Sequence, residues 1–171
     1  GTDLGSMFLH DDGKIYFLFG DTFGSPGFPA SSGDWRSNTM AYSSDFDVTD
    51  GITLDGWIVD DDNNARALID GKHEANDGSG EVTKIPTSGW SIDGTQYLWY
   101  MSIKQWGTPG NWDVNYSEIA YSNDSGRTWE NSGFKRLGYS ILLRLQFQRT
   151  LDMYLSGEFP QADMVVLNYL E

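Results

Sequence analysis

The chain has 171 residues, with 25 acidic against 11 basic side chains and a formal net charge of −14. A chain this acidic is poorly suited to gripping phosphate backbones or anionic membranes, so nucleic-acid and membrane partners are not expected. It has no cysteine, which leaves no disulfide or zinc–thiolate site, and no apolar run approaches the roughly 18 residues that span a bilayer.

Residues 2–9 read as a short strand with two small residues, Gly5 and Ser6, at its middle. The Asp11-Asp12-Gly13 turn leads into a central strand over 14–20, in which five successive apolar residues, Ile15 to Phe19, point to burial on both faces. That strand stops at Gly20 and leaves the Asp21 carboxylate just past the most apolar part of the chain. A charge there needs a partner or a task. It either hydrogen-bonds backbone groups at a strand end or takes part in chemistry. Residues 24–34 form a Gly/Pro/Ser loop, 37–44 a third strand and 52–58 a fourth. Residues 60–81 are rich in Asp and Asn and are expected to be a solvated acidic connection. Calcium is the one possible cofactor there, since Asp60, Asp61, Asp62 and Asn63 are hard oxygen ligands, although their spacing matches no EF-hand loop.

The pattern then repeats. A strand over 82–92 precedes a second D-G turn, Asp93-Gly94. A strong aromatic strand follows over 96–104, then a Gly/Pro/Asn loop over 107–111, a strand over 116–122 and a short one over 128–130. Both halves share one order: small-residue strand, D-G turn, aromatic strand, loop, Ser/Tyr strand. Four-stranded units repeating along a chain are the pattern of propeller blades. Aromatics at 15% and 20 glycines agree with an all-β protein of short strands. Indole and phenol rings beside Asp and Asn also suit a carbohydrate site, because rings stack on sugar C–H faces while carboxylates and amides bond hydroxyls.

Ser122-Asn123-Asp124-Ser125-Gly126-Arg127-Thr128-Trp129 reads S-x-D-x-G-x-T-W. It resembles the Asp-box of sialidase-like propellers, whose role is structural: Asp124 and Ser122 satisfy turn groups, Gly126 takes positive φ, and Trp129 packs into the blade. From about Gly138 the character changes. Residues 141–151 lack glycine and turn residues and look helical, which is foreign to a propeller. With the coding frame shifted by one base, residues 152–171 can instead be read as an aromatic strand, a Gly turn and a second strand. A tail out of frame from about 135–141 onward is therefore expected. The divisions are 1–134 as a partial β-propeller (blade one about 1–58, acidic connection 59–81, blade two about 82–134) and 135–171 as an atypical tail. The chain opens at Gly1 and not Met, so its N-terminus is expected to be cut, and the lack of a visible signal peptide says nothing of secretion.

Several stretches occur in a telling order: Thr2-Asp3-Leu4-Gly5, then Gly13 to Phe23 ending in F-G-D-T-F, Trp35-Arg36-Ser37-Asn38, Ile85-Pro86-Thr87, Trp112 to Ser117, and the S-x-D-x-G-x-T-W box. Over roughly residues 1–132 the chain resembles domain-of-unknown-function family 4185, part of which forms glycoside hydrolase family 183, and the shifted tail is similar to a later segment of that family. The resemblance implies a five-bladed β-propeller, of which this chain holds about two blades. For characterised members it implies endo-cleavage of D-arabinan, hence a polysaccharide partner and an extracellular or cell-surface location.

Glycoside hydrolysis needs two carboxyl groups across the scissile bond. Asp3 lies ten residues before Gly13 and Asp21 eight after it, so a hairpin brings them together. Asp21 is the expected general base or nucleophile and Asp3 its partner. Trp35, Arg36 and Asn38 are candidate sugar contacts, with the alternative that Trp35 is core and Arg36 pairs with Asp21 or Asp34. Trp112, Asn115 and Tyr116, with Trp106 nearby, form the matching set in the second half. His10 and His73 lack a Ser or Cys nucleophile context, so no triad is expected. No metal ligand set is expected at the catalytic positions. The alternatives to a hydrolase are a carbohydrate-binding propeller without catalysis and an inactive fragment of a disrupted gene.

Overall fold

In the computed structural model the described residues are 1–2, 5–24, 34–47, 49–108 and 111–137. They are all β and antiparallel, with no helix and no closed barrel or propeller among them. Ten strands are present: β1 (Ser6–Leu9), β2 (Ile15–Phe19), β3 (Thr22–Phe23), β4 (Trp35–Arg36), β5 (Thr39–Ser43), β6 (Gly56–Trp57), β7 (Thr83–Ile92), β8 (Thr95–Trp106), β9 (Trp112–Ser122) and β10 (Glu130–Leu137). Two four-stranded sheets follow the chain in the same sense, β1-β2-β5-β6 and β7-β8-β9-β10, and β3 and β4 pair as a small hairpin. The expected repeat is thus present as two meanders of equal strand number.

The D-G turns form as their composition requires. Gly13 and Gly94 hold φ of 79° and 78°, a conformation that only glycine adopts at low cost. The central strand is buried on both faces at Tyr16, Phe17 and Leu18. Leu18 and Tyr16 join Phe8, Met40, Leu98, Tyr100 and Ala120 in one core between the sheets. The sheets meet closely at Gly89, where a Cβ would lie 2.6 Å from Phe8 Cε1 and 2.8 Å from Leu18 Cδ1. A side chain on β7 at this point would hold the sheets apart, and this is why a glycine interrupts an otherwise regular strand.

The Asp-box closes the β9–β10 corner as expected. Asp124 accepts from the Thr128 amide (2.8 Å) and hydroxyl (2.6 Å), Ser122 Oγ accepts from the Gly126 amide (2.9 Å), and Trp129 Nε1 donates to the Gly126 carbonyl (2.9 Å). Gly126 has φ 83° and packs on Met40 of the other sheet, so the turn also serves the contact between sheets.

Four expectations need correction. The last strand is not 128–130 but Glu130–Leu137, because Thr128 and Trp129 are taken up by the Asp-box; the strand also runs past the expected limit at 134. The first strand is shorter, Ser6–Leu9, with Thr2 instead bridged to Thr22. The strand expected over 52–58 is only Gly56–Trp57. The acidic connection is not simply solvated. Leu68, Ile69 and Glu81 are buried within it, and Asn38 clips it down: its Oδ1 accepts from the Leu68 and Ile69 amides (3.0 and 2.8 Å) and its Nδ2 donates to the Ile69 and Lys84 carbonyls (2.9 and 3.0 Å). Asp3 and the tail from 138, with its helical and out-of-frame readings, lie outside the described residues.

Candidate functional site

Antiparallel pairing carries the end of β2, the starts of β5, β7 and β9 and the end of β8 to one end of the two sheets. The D-G turns occupy the other end, and the Asp-box reaches from beside them over Met40 to a cavity that Arg36 also lines. Apart from Asp3, which is outside the described residues, the expected site residues flank the strand termini of the first end.

Asp21, one residue past Gly20 and just beyond β2, is 7% exposed. Its Oδ1 accepts from Trp35 Nε1 (2.8 Å) and from Thr83 Oγ1 (2.5 Å). The carboxylate therefore sits where the first strand of the second sheet meets the β3–β4 hairpin. Thr22, adjacent, shares hydroxyl contacts with Thr2 (2.7 Å) and Thr39 (3.0 Å). The Trp35 indole and the Thr83 hydroxyl are neutral donors and suit an acceptor-only carboxylate. Arg36 pairs with Asp34 at 2.7 Å, the second of the two pairings weighed for it.

Trp35 joins the sites of both halves. It stacks flat on His73, with centroids 4.0 Å apart and 4° between planes. It also packs on the Val82, Ile85, Met101 and Ile103 cluster that carries Trp106, Trp112 and Val114. One face of Trp35 is thus covered by an imidazole and cannot also stack on a sugar. Trp106 and Trp112 meet edge to face at 4.9 Å. Asn38 is fully buried and spends its whole hydrogen-bonding capacity on four backbone groups, so it shapes the connection and does not reach a ligand. Asn115 donates to the Gly80 carbonyl and to Ser102 Oγ, both at 3.1 Å.

Sequence reasoning missed two buried carboxylates on one face of the second sheet. Glu81 is 4% and Glu118 1% exposed. Ser102 Oγ donates to Glu81 Oε2 at 2.5 Å, with the Tyr116 hydroxyl at 3.5 Å. The Tyr100 hydroxyl donates to Glu118 Oε2 at 2.7 Å. Lys84 and Lys135 approach the two acids at 3.7 and 3.6 Å. Burial, then the Glu118 hydrogen bond, pushes the Tyr100 phenol well up. Burial, then the charges of Glu81 and Glu118, raises Tyr116. Both phenols thus stay protonated donors. The sequence held one signal: Glu118 falls on the inward register of β9 with Ala120 and Ser122, where a charge must be paired. Enclosed this tightly, the two acids organise the sheet and do not meet a substrate.

The histidines are less isolated than their sequence positions imply. His10 Nδ1 lies 2.7 Å from Ser91 Oγ and His73 Nε2 lies 2.9 Å from Ser37 Oγ. Burial pushes the His73 imidazole down, against the pull of Asp70 and Glu81. Ser37 is 1% exposed, which closes it to attack on a substrate. The Asp60–Asn63 stretch is a turn: Asp60 Oδ1 accepts from the Asp62 and Asn64 amides (3.1 and 2.8 Å). Among the described residues no group of three or more acids and histidines is arranged to hold a metal ion.

A family model described as a domain of unknown function, DUF4185, matches residues 1–155. Among curated proteins the chain is similar to notoamide biosynthesis cluster protein J of Aspergillus sp. (strain MF297-2), at 37% identity over 131 residues, covering 72% of this chain and 35% of that protein. It is also similar to notoamide biosynthesis cluster protein J' of Aspergillus versicolor, at 34% over 129 residues, with the same coverage of 72% and 35%. The chain thus spans about a third of the length of these relatives.

Proposed function

The chain belongs to the DUF4185 family, and from that premise we propose that it is part of a carbohydrate-acting β-propeller, a glycoside hydrolase that cleaves a furanose polysaccharide such as D-arabinan internally. The observation that carries the proposal is Asp21: a buried carboxylate at a strand terminus, held by Trp35 and Thr83 at the junction of two sheets. A carboxylate fixed in this way is oriented before substrate arrives, and such orientation is what catalytic acids and bases require. In this reading Asp21 acts as general base on water or as nucleophile at the anomeric carbon, and Asp3 supplies the second carboxyl group. The Thr2–Thr22 bridge supports the hairpin on which that pairing rests. Trp112, Tyr116 and Arg36 remain candidate walls for the glycan. Propeller closure is part of the same proposal, supported by two successive four-stranded meanders of one order. So are an extracellular or cell-surface location and a tail that departs from the blade pattern beyond β10.

The test is hydrolysis of D-arabinan by the chain, alone and extended to the length of its relatives, with Asp21→Asn as the variant. Hydrolysis lost with glycan binding retained supports the proposal; no hydrolysis of any arabinan by the extended protein defeats it. A second reading, binding without catalysis, is favoured by the way Trp35 and Thr83 both occupy Asp21 Oδ1. It expects unchanged binding in Asp21→Asn and no cleavage at any length. The fungal relatives are named for a notoamide biosynthesis cluster, so a small molecule of such a cluster is also worth offering to the same protein.

A further inference from the structure

One cavity shares only Arg36 with the reading above. It encloses about 440 Å³ and is lined by Arg36, Arg66 and Arg127 with Asp60, Asp70 and Trp129. Three cations from three separate segments converge here: one on β4, one in the acidic connection and one in the Asp-box. This happens in a chain of net charge −14 with only 11 basic residues. Chance placement would surround such a cluster with carboxylates. Among the described residues only Arg36 has one, Asp34, with its carboxylate 2.7 Å away. Among the described residues no carboxylate forms an ion pair with Arg66 or Arg127, although Asp60 and Asp70 share the cavity wall. Asp60 instead receives backbone amides. Successive side chains of a strand face opposite sides, so β4 turns Trp35 toward Asp21 and Arg36 toward this cavity.

We infer that the cavity binds an acidic sugar unit, its carboxylate or phosphate group between Arg66 and Arg127 and its hydroxyls toward Asp60 and Asp70. The reason is complementarity. Two exposed guanidinium groups with no ion-pair partner among the described residues are free to turn toward an oxyanion, which accepts charge-assisted hydrogen bonds in a fork. The exposed Asp70 carboxylate and the second oxygen of Asp60 can accept from hydroxyls of the same ligand. A partly buried indole supplies a face for a ring, and the volume suits one or two sugar units. A neutral sugar would leave the arginines unanswered, and a bare anion would leave the acids unanswered. The site is separate from the chemistry at Asp21, so it stands or falls on binding alone.

The experiment is isothermal titration of the 171-residue chain with D-glucuronate, glucose 1-phosphate and neutral D-glucose. Binding of either acid, at least about tenfold tighter than glucose, is expected, since the arginine contacts are charge-assisted; which acid binds assigns the carboxylate or the phosphate class. Arg66→Gln together with Arg127→Gln should abolish the preference while the circular dichroism spectrum is kept. A second measurement needs no variant: on the unaltered chain, affinity for the acid should fall as salt rises. Equal affinity for glucose, no binding of either acid, an unchanged preference in a folded double variant or salt-independent affinity would each overturn the inference.

Discussion

Asn38→Ala should unfold more of this chain than any other single truncation at a polar position. The side chain is fully buried and holds four backbone groups at 2.8–3.0 Å: two amides and one carbonyl of Leu68–Ile69, and the Lys84 carbonyl. A typical internal hydrogen bond contributes about 1 kcal/mol net, and a buried donor left unpaired costs about 1–3 kcal/mol. Four lost bonds, two of them stranding buried amides, therefore amount to about 3–5 kcal/mol. Against a usual domain stability of about 5–15 kcal/mol, this is a large share. The assay is guanidinium unfolding followed by tryptophan fluorescence, with amide exchange at Leu68 and Ile69 as the local readout. The midpoint should fall sharply and both amides should lose protection. Asn38→Asp retains the two accepted bonds but turns a carboxylate oxygen toward two carbonyls, so it should be at least as damaging at neutral pH and partly recover on acidification. A loss below about 1 kcal/mol in Asn38→Ala would refute the clip.

Gly89→Ala places a methyl against the Phe8 ring and Leu18 and should cost about 1–3 kcal/mol by overpacking; an unchanged thermal midpoint would contradict the close approach of the sheets. His73 titrates below its ordinary 6.5 in the folded chain, so the unfolded state binds the proton more readily and stability should decline as pH falls from about 7 through 6.5 toward the folded pKa. His73→Gln should flatten that decline, and an identical slope in the variant would discount the imidazole. At Asp124 burial acts to raise the carboxyl, but hydrogen bonds from Thr128 and Ser122 outweigh it and hold it below 3.8. Its contribution is present above that value and should be lost as pH falls through the folded pKa, with Asp124→Asn showing a shallower acid limb in urea unfolding.

What could be read from the chain alone was what short range decides. Both D-G turns and the Asp-box involve residues within a few positions and formed where expected; the Arg36–Asp34 pair, equally local, was one of the alternatives weighed for a residue expected to contact sugar. The doubly buried central strand was equally plain, because five apolar residues in succession leave no polar face. Asn38 was misread because its partners at Leu68 and Ile69 lie some 30 residues on, inside a stretch whose acidity disguised two buried apolar side chains. Thr83, which holds Asp21, is 62 positions away, so the strand-end acid could be singled out while its setting could not. Trp35 was legible as an aromatic near the site, but not its stacking on His73, an imidazole carried by the connection with φ 53°. Arg66 and Arg127 were passed over for the same reason: convergence is a property of the folded chain.

The links between the sheets have a kinetic consequence. Within each sheet most neighbouring strands follow one another by a turn or a single loop, with β2 and β5 separated by the β3–β4 hairpin, so loop closure is cheap beside the links between sheets. The contacts that join the sheets are distant: Thr83 to Asp21 across 62 positions, Ser91 to His10 across 81, and the Gly94 amide to the Asp11 carboxylate across 83. Each meander can therefore assemble by itself, with docking as a later and slower event that carries most of the contact order. Asp11 and Gly94 belong to equivalent turns of the two repeats. One bond joins the equivalent turns of the two sheets, and substitutions there should change the rate of docking more than the rate at which either sheet forms.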